Sequence, residues 1–81
     1  MTESIERWLS KWFEGREGHS APNKHSDFYD SGQIDSFGII ELIGDIEDYF
    51  GVLFTDEDFR QDYFRTIAGL ARLIRVRQAS V

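Results

Sequence analysis

Apolar positions recur with a helical period in three stretches of the chain and nowhere alternate as in a strand. Ile5, Trp8, Leu9, Trp12 and Phe13 fall at i, i+3, i+4, i+7 and i+8, which places them on one face of a first helix. Thr2 is positioned to cap its start, with Glu3 and Glu6 near the positive end of the dipole. Gly15 or Gly18 can supply the left-handed residue that stops it. Residues 18–26 lack an apolar period and read as a long loop, with Phe28, Tyr29 and Ile34 as the anchors that tuck its second half against the core.

A second helix is expected from Ser36 to Phe50, with Ile39, Leu42, Ile43, Ile46 and Phe50 as its buried stripe and Gly51 as its stop. Glu41, Asp45 and Asp48 lie on the other side. Phe37 and Ile40 fall off the main stripe, so they either extend the core or stand exposed beside the acids. Thr55 followed by Asp56, Glu57 and Asp58 offers a cap and an acidic first turn, predicting a short helix that holds Phe59 and Tyr63. The last helix starts near Thr66 on the stripe Ile67, Leu70, Ala71, Leu73 and Ile74. Arg72, Arg75 and Arg77 lie toward its C-terminal end, where positive charge is favourable. The predicted fold class is all-α, one domain over residues 1–81 built as a small bundle of three main helices plus one short helix.

Composition narrows the function. A chain of 81 residues buries only about 60–65% of its unfolded surface, too little for a large enclosed active site. The absence of cysteine excludes a disulfide framework, a thiolate zinc site and a cysteine nucleophile, and fits a reducing cytoplasm. The N-terminus opens with acids and no segment has the length of a membrane span, so a soluble, unprocessed protein is expected. The net charge of −6 is unevenly placed. Residues 1–26 are balanced, residues 27–58 carry ten acids and no Lys or Arg, and residues 59–81 carry a surplus of four arginines. Such an acidic block repels phosphate backbones, which argues against nucleic acid and for protein partners with basic docking patches.

Ser36 is the residue of greatest chemical interest. It stands where an irregular segment becomes an amphipathic helix, so a phosphate ester on its oxygen would sit at the positive end of the dipole. Gly38, two positions on, is expected to leave the approach open. As an isolated serine at a helix start, Ser36 reads first as an ordinary N-cap. Asp30 and Glu41 are spaced as the first and twelfth positions of a calcium loop. Gly32 and Ile34 at ligand positions, and Asp35 in place of the required glycine, exclude that reading. No metal site is expected. His19 and His25 lie in a polar loop without a nucleophile or third ligand nearby, which gives no enzyme site.

Asp35-Ser36-Phe37, followed by Gly38-Ile39-Ile40-Glu41-Leu42-Ile43 and by Ile46-Glu47-Asp48-Tyr49-Phe50-Gly51-Val52, resembles the acyl carrier protein family. That family opens an acidic second helix with D-S-L or D-S-M and continues with E-L and E-x-x-F-G-V-like segments. Phe28 eight residues before Ser36, the Asp56-Glu57-Asp58 start and the Thr66-Ile67 start extend the resemblance over nearly the whole chain. It implies that Ser36 is the attachment point for 4′-phosphopantetheine, transferred from coenzyme A by a phosphopantetheinyl transferase, with Asp35 contributing to that site. The arm ends in a thiol, which would let a cysteine-free protein hold acyl groups as thioesters. The same resemblance makes Phe37, Ile40, Glu41, Glu47 and Asp48 docking contacts for the transferase, for an acyl- or aminoacyl-loading ligase and for downstream synthases. The protein is expected to be a monomeric, non-catalytic carrier.

Two departures shift the expected pathway. Phe37 replaces the usual Leu or Met, and Gly44 stands where a larger apolar contact residue is common. Upstream, Gly32-Gln33-Ile34-Asp35-Ser36 reads G-x-I-D-S where housekeeping fatty acid carriers more often read L-G-x-D-S, and residues 66–74 are similar to the last helix of peptidyl carriers. The reading is therefore a specialised acyl carrier of fatty acid, lipid or polyketide biosynthesis. The alternatives are an aminoacyl, D-alanyl or peptidyl carrier, and an unmodified helical module that acts through protein contacts alone.

Overall fold

Three amphipathic stripes become three α-helices: α1 (Thr2–Glu14), α2 (Ser36–Phe50) and α3 (Ile67–Ala79). The structure, a computed structural model, describes residues 2–15, 22–32 and 34–79. The side-chain cap expected at Thr2, the alternative stop at Gly18 and the first part of the long loop, including His19, lie outside the described residues. Among the described residues there is no strand.

On α1, Ile5, Leu9 and Phe13 are buried while Trp8 and Trp12 pack half-buried at the rim. This face lies mainly against α3, whose Ile67, Leu70, Ala71 and Ile74 are fully buried. Leu42 and Ile46 of α2 complete the core, together with Phe28, Ile34, Val52 and Phe64 from the connections. Each fully buried large side chain contributes about 1.5–3 kcal/mol relative to exposure. α2 meets α1 through Trp8, which stacks on Tyr49 at 5.2 Å and takes Phe50 edge-on at 5.2 Å. Trp12 adds a polar link, its Nε1–H donating to Asp45 at 2.7 Å.

α2 spans the predicted residues and ends as predicted. Gly51 takes φ 68°, a left-handed conformation that glycine adopts without a Cβ penalty, and donates its N–H to the Glu47 carbonyl. Beyond it the expected short helix is instead two 3₁₀ turns, Asp58–Arg60 and Asp62–Arg65. Gln61 between them is extended, at φ −88° and ψ 146°, and this breaks the helical path. The break turns Phe64 rather than Tyr63 into the core. Phe64 there packs edge-on against Phe54 and Phe59.

Asp58 holds this segment in place. Its carboxylate accepts the Thr55 N–H at 2.8 Å while the Thr55 hydroxyl accepts the Asp58 N–H at 3.3 Å, a reciprocal box. Its other oxygen accepts from Arg77 on α3 at 2.5 Å. Arg77 therefore pairs with a specific carboxylate as well as lying near the negative end of α3. Gly69, in the first turn of α3, is required by a close approach: a Cβ there would overlap the Tyr63 carbonyl oxygen and stand 2.8 Å from its Cα.

The segment leading to α2 is tied to the start of α3. The Phe28 N–H donates to the Arg65 carbonyl, and the Ala68 N–H to the Lys24 carbonyl, each at 2.9 Å. Arg65 also pairs with Asp27 at 3.3 Å and Asp30 at 3.6 Å. Of the three expected anchors, Phe28 and Ile34 are buried. Tyr29 instead stays exposed, beneath the Arg65 guanidinium at 5.7 Å.

Candidate functional site

Asp35 and Ser36 divide two tasks that the sequence left open. Asp35 is the N-cap: its backbone is extended, at φ −107° and ψ −175°, and its Oδ1 accepts the Gly38 N–H at 2.7 Å. Its carbonyl takes the first helical bond, from Ile39 at 2.9 Å. Ser36 is thereby the first residue inside α2, exposed, with its hydroxyl free of capping duty. Among the described residues no hydrogen bond engages that hydroxyl. The amides at the start of α2 provide a positively polarised setting for an anionic ester on Ser36.

Gly38 does not open the approach to Ser36. At 100° per residue, two positions carry it to the opposite side of the helix, where it is buried. The approach is open because Ser36, Phe37 and Ile40 themselves are exposed. Phe37 and Ile40 are 79% and 66% exposed, which settles their place outside the core.

The acids divide as well. Glu41 and Asp48 lie exposed on α2, and α2 carries no Lys or Arg. Glu47 is half-buried, and its carboxylate accepts the Phe54 N–H at 3.2 Å, tying the end of α2 to the following segment. Asp45 is held by Trp12. On the segment before Ser36, the Asp27 carboxyl is held below its ordinary value of 3.8, first by the Asp30 N–H; desolvation opposes this, and the Tyr29 N–H and Arg65 lower it further.

An open groove of about 570 Å³ runs beside this face, lined by Tyr29, Ile39, Ile40, Ile43, Phe59, Phe64 and Arg65. Sequence reasoning defined no such pocket. Its only signal was Ile39 and Ile43, one turn apart at the edge of the buried stripe and half-buried. Among the described residues no group of three or more His, Asp or Glu could hold a metal ion. His25 is exposed, and its backbone N–H donates to Asn23. No helix among the described residues is long and apolar enough to cross a membrane.

In comparison with protein families, the family described as "phosphopantetheine attachment site" matches residues 8–74, from the middle of α1 to the middle of α3. No curated protein matches the chain.

Proposed function

The chain belongs to the phosphopantetheine attachment-site family, an acyl-carrier-like family that carries covalently attached 4′-phosphopantetheine, and on that premise we propose that Ser36 is the residue that bears the group. The observation that supports this most directly is the exposed Ser36 at the start of α2, its hydroxyl without a hydrogen bond among the described residues and relieved of capping by Asp35. These residues fit the group. Ser36 offers an accessible oxygen, and the helix start offers a favourable field for the phosphodiester.

In the attachment step the Ser36 Oγ forms a bond to phosphorus of the coenzyme A pyrophosphate, the phosphoanhydride P–O bond breaks, and adenosine bisphosphate leaves. The Ser36 proton passes to a base of the transferase, since the Asp35 carboxylate is engaged by the Gly38 amide. Asp35 acts by fixing the helix start and so the direction of Ser36. When bound, the group supplies a thiol on a flexible arm that holds acyl groups as thioesters.

Carrier domains of this family are in general non-catalytic and interact with phosphopantetheinyl transferases and synthase enzymes. For this chain, Phe37 and Ile40 form the apolar part of the docking face, with Glu41 and Asp48 steering basic partners; Glu47 contributes charge from its rim. The partners are the transferase, a loading ligase and downstream synthases, met by a monomeric cytoplasmic carrier that supplies no catalysis. The apolar groove beside Ile40 favours an acyl cargo, in specialised fatty acid, lipid or polyketide synthesis. The similarity of residues 66–74 to peptidyl carriers supports the second reading, an aminoacyl, D-alanyl or peptidyl cargo.

Incubation with coenzyme A and a broad-specificity phosphopantetheinyl transferase should add one phosphopantetheine by intact mass, and Ser36→Ala should abolish the gain. An unchanged wild-type mass across several competent transferases would leave only the unmodified binding module. The mass of the natively loaded protein then identifies the cargo.

A further inference from the structure

A second open groove, of about 400 Å³, lies where α1 meets the C-terminal end of α2, lined by Arg7, Trp8 and Lys11 of α1, Tyr49 and Phe50 of α2 and Gln78 of α3. The chain has 15 acids against 9 bases, yet neither Asp nor Glu lines this groove and two bases do. Arg7 and Lys11 stand one turn apart on α1, both exposed, and among the described residues neither has an ion-pair partner. Like charges at that spacing weaken a helix, so the pair does not serve α1 itself. Beside them the Trp8 ring stacks on Tyr49 at 5.2 Å, and Tyr49 remains 61% exposed. Aromatic surface bordered by cations is the composition of an interface anchor point.

We propose that this groove is a docking site for an acidic peptide segment of a partner protein, with an apolar side chain of the segment resting on Trp8 and Tyr49 and its carboxylates facing Arg7 and Lys11. Charge complementarity selects the acids. An open groove holds an extended segment along its walls, where a small anion would stay largely in water. Two bases fall short of the cluster of about four to eight that draws a segment to an anionic membrane, and the acidic block over residues 27–58 repels both membrane and nucleic acid. Tyr49 lies about 20 Å along the helix axis from Ser36, at the opposite end of α2. A segment seated there leaves Ser36, Phe37 and Ile40 open, so a partner can tether the carrier and raise its local concentration without covering the serine. The inference is independent of what Ser36 carries.

The test selects a random peptide display library on the full chain and measures the recovered peptides by fluorescence anisotropy against wild type and variants. Recovered peptides should combine several acids with an aromatic or branched apolar residue. Their Kd should rise about tenfold or more in Arg7→Glu/Lys11→Glu and about fivefold in Tyr49→Ala, both folded by circular dichroism, and stay within about twofold in Ser36→Ala. Arg72→Glu/Arg75→Glu on α3 makes the same change in net charge at two exposed arginines and should stay within about threefold, which separates the groove from general attraction. Recovery of no acidic peptide, or an equal loss in both double variants, overturns the groove as an acidic-peptide site. So does preferential binding of wild type to vesicles of anionic phospholipid, or a concentration-dependent dimer that Arg7→Glu/Lys11→Glu dissolves, since these assign the groove to a membrane or to a second copy. A wild type that binds such peptides but is never modified overturns the reading of Ser36 alone and leaves the groove standing.

Discussion

Removing the Asp58 carboxylate should be among the most damaging single changes outside the apolar core. Asp58 is 3% exposed and its two oxygens serve different elements, the Thr55 N–H at 2.8 Å and the Arg77 guanidinium at 2.5 Å. Breaking a fully buried pair by truncating one partner costs about 3–5 kcal/mol. Here the Arg77 side chain is 31% exposed and can recover part of its hydration, whereas the Thr55 amide loses a charge-assisted bond. The expected loss for Asp58→Ala is therefore about 2–3 kcal/mol, a large share of the roughly 4–12 kcal/mol available to a chain of this length. That corresponds to a fall in Tm of about 10–20 °C. Asp58→Asn, which keeps an acceptor for Thr55 and loses the charge, should cost about half as much. Urea unfolding of Asp58→Ala, Arg77→Ala and the double variant should give a coupling of about 1 kcal/mol or more. If Asp58→Ala costs less than about 0.5 kcal/mol, or the two changes simply add, the pair is not what fastens the 3₁₀ segment to α3.

Three further outcomes follow from particular contacts. Gly69→Ala should lower stability by about 1–2 kcal/mol although alanine is the better helix former, because its Cβ collides with the Tyr63 backbone; an unchanged or raised Tm would refute this. The lowered Asp27 pKa means that its stabilisation is complete above the ordinary value of 3.8 and disappears as pH falls through the lower folded-state value. Stability profiles of wild type and Asp27→Asn should thus separate above about pH 4 and converge below it, and parallel profiles would contradict the assignment. Charge reversal at Glu47 or Asp48 should slow modification more at low than at high salt, but only Glu47→Lys should also lower Tm, through the lost Phe54 bond. Equal rate effects at both salt concentrations would count against electrostatic steering.

The features legible in the sequence are those set by neighbours in the chain. α2 could be bounded because its stripe has a clean helical period and Gly51 can adopt the left-handed stop. The start of α2 was ambiguous at one point, since Asp35 and Ser36 are both good caps and only the extended backbone at Asp35 decides between them. The sequence predicts one short helix where the structure has two 3₁₀ turns, because nothing local announces the extended Gln61 between them. Long-range features were invisible for a stronger reason. The groove joins Tyr29, Ile43 and Phe59, and the contacts of Trp12 with Asp45 and of Arg77 with Asp58 span 33 and 19 residues. An acid on a helix face gives no sign of whether it meets water, an indole or an amide. For this reason Asp45 and Glu47 looked equivalent to Asp48 until their partners were seen.

Both tryptophans of the chain lie on α1, and both rest on the C-terminal half of α2: Trp8 on Tyr49 and Phe50, Trp12 on Asp45. Those contacts begin about 13 Å along the helix axis from Ser36. The protein thus contains an intrinsic optical gauge of whether α1 and α2 remain docked, read by indole emission and insensitive to what is attached at the other end of α2. Modification at Ser36 should leave that signal flat, while unfolding or parting of the two helices should shift it to the red.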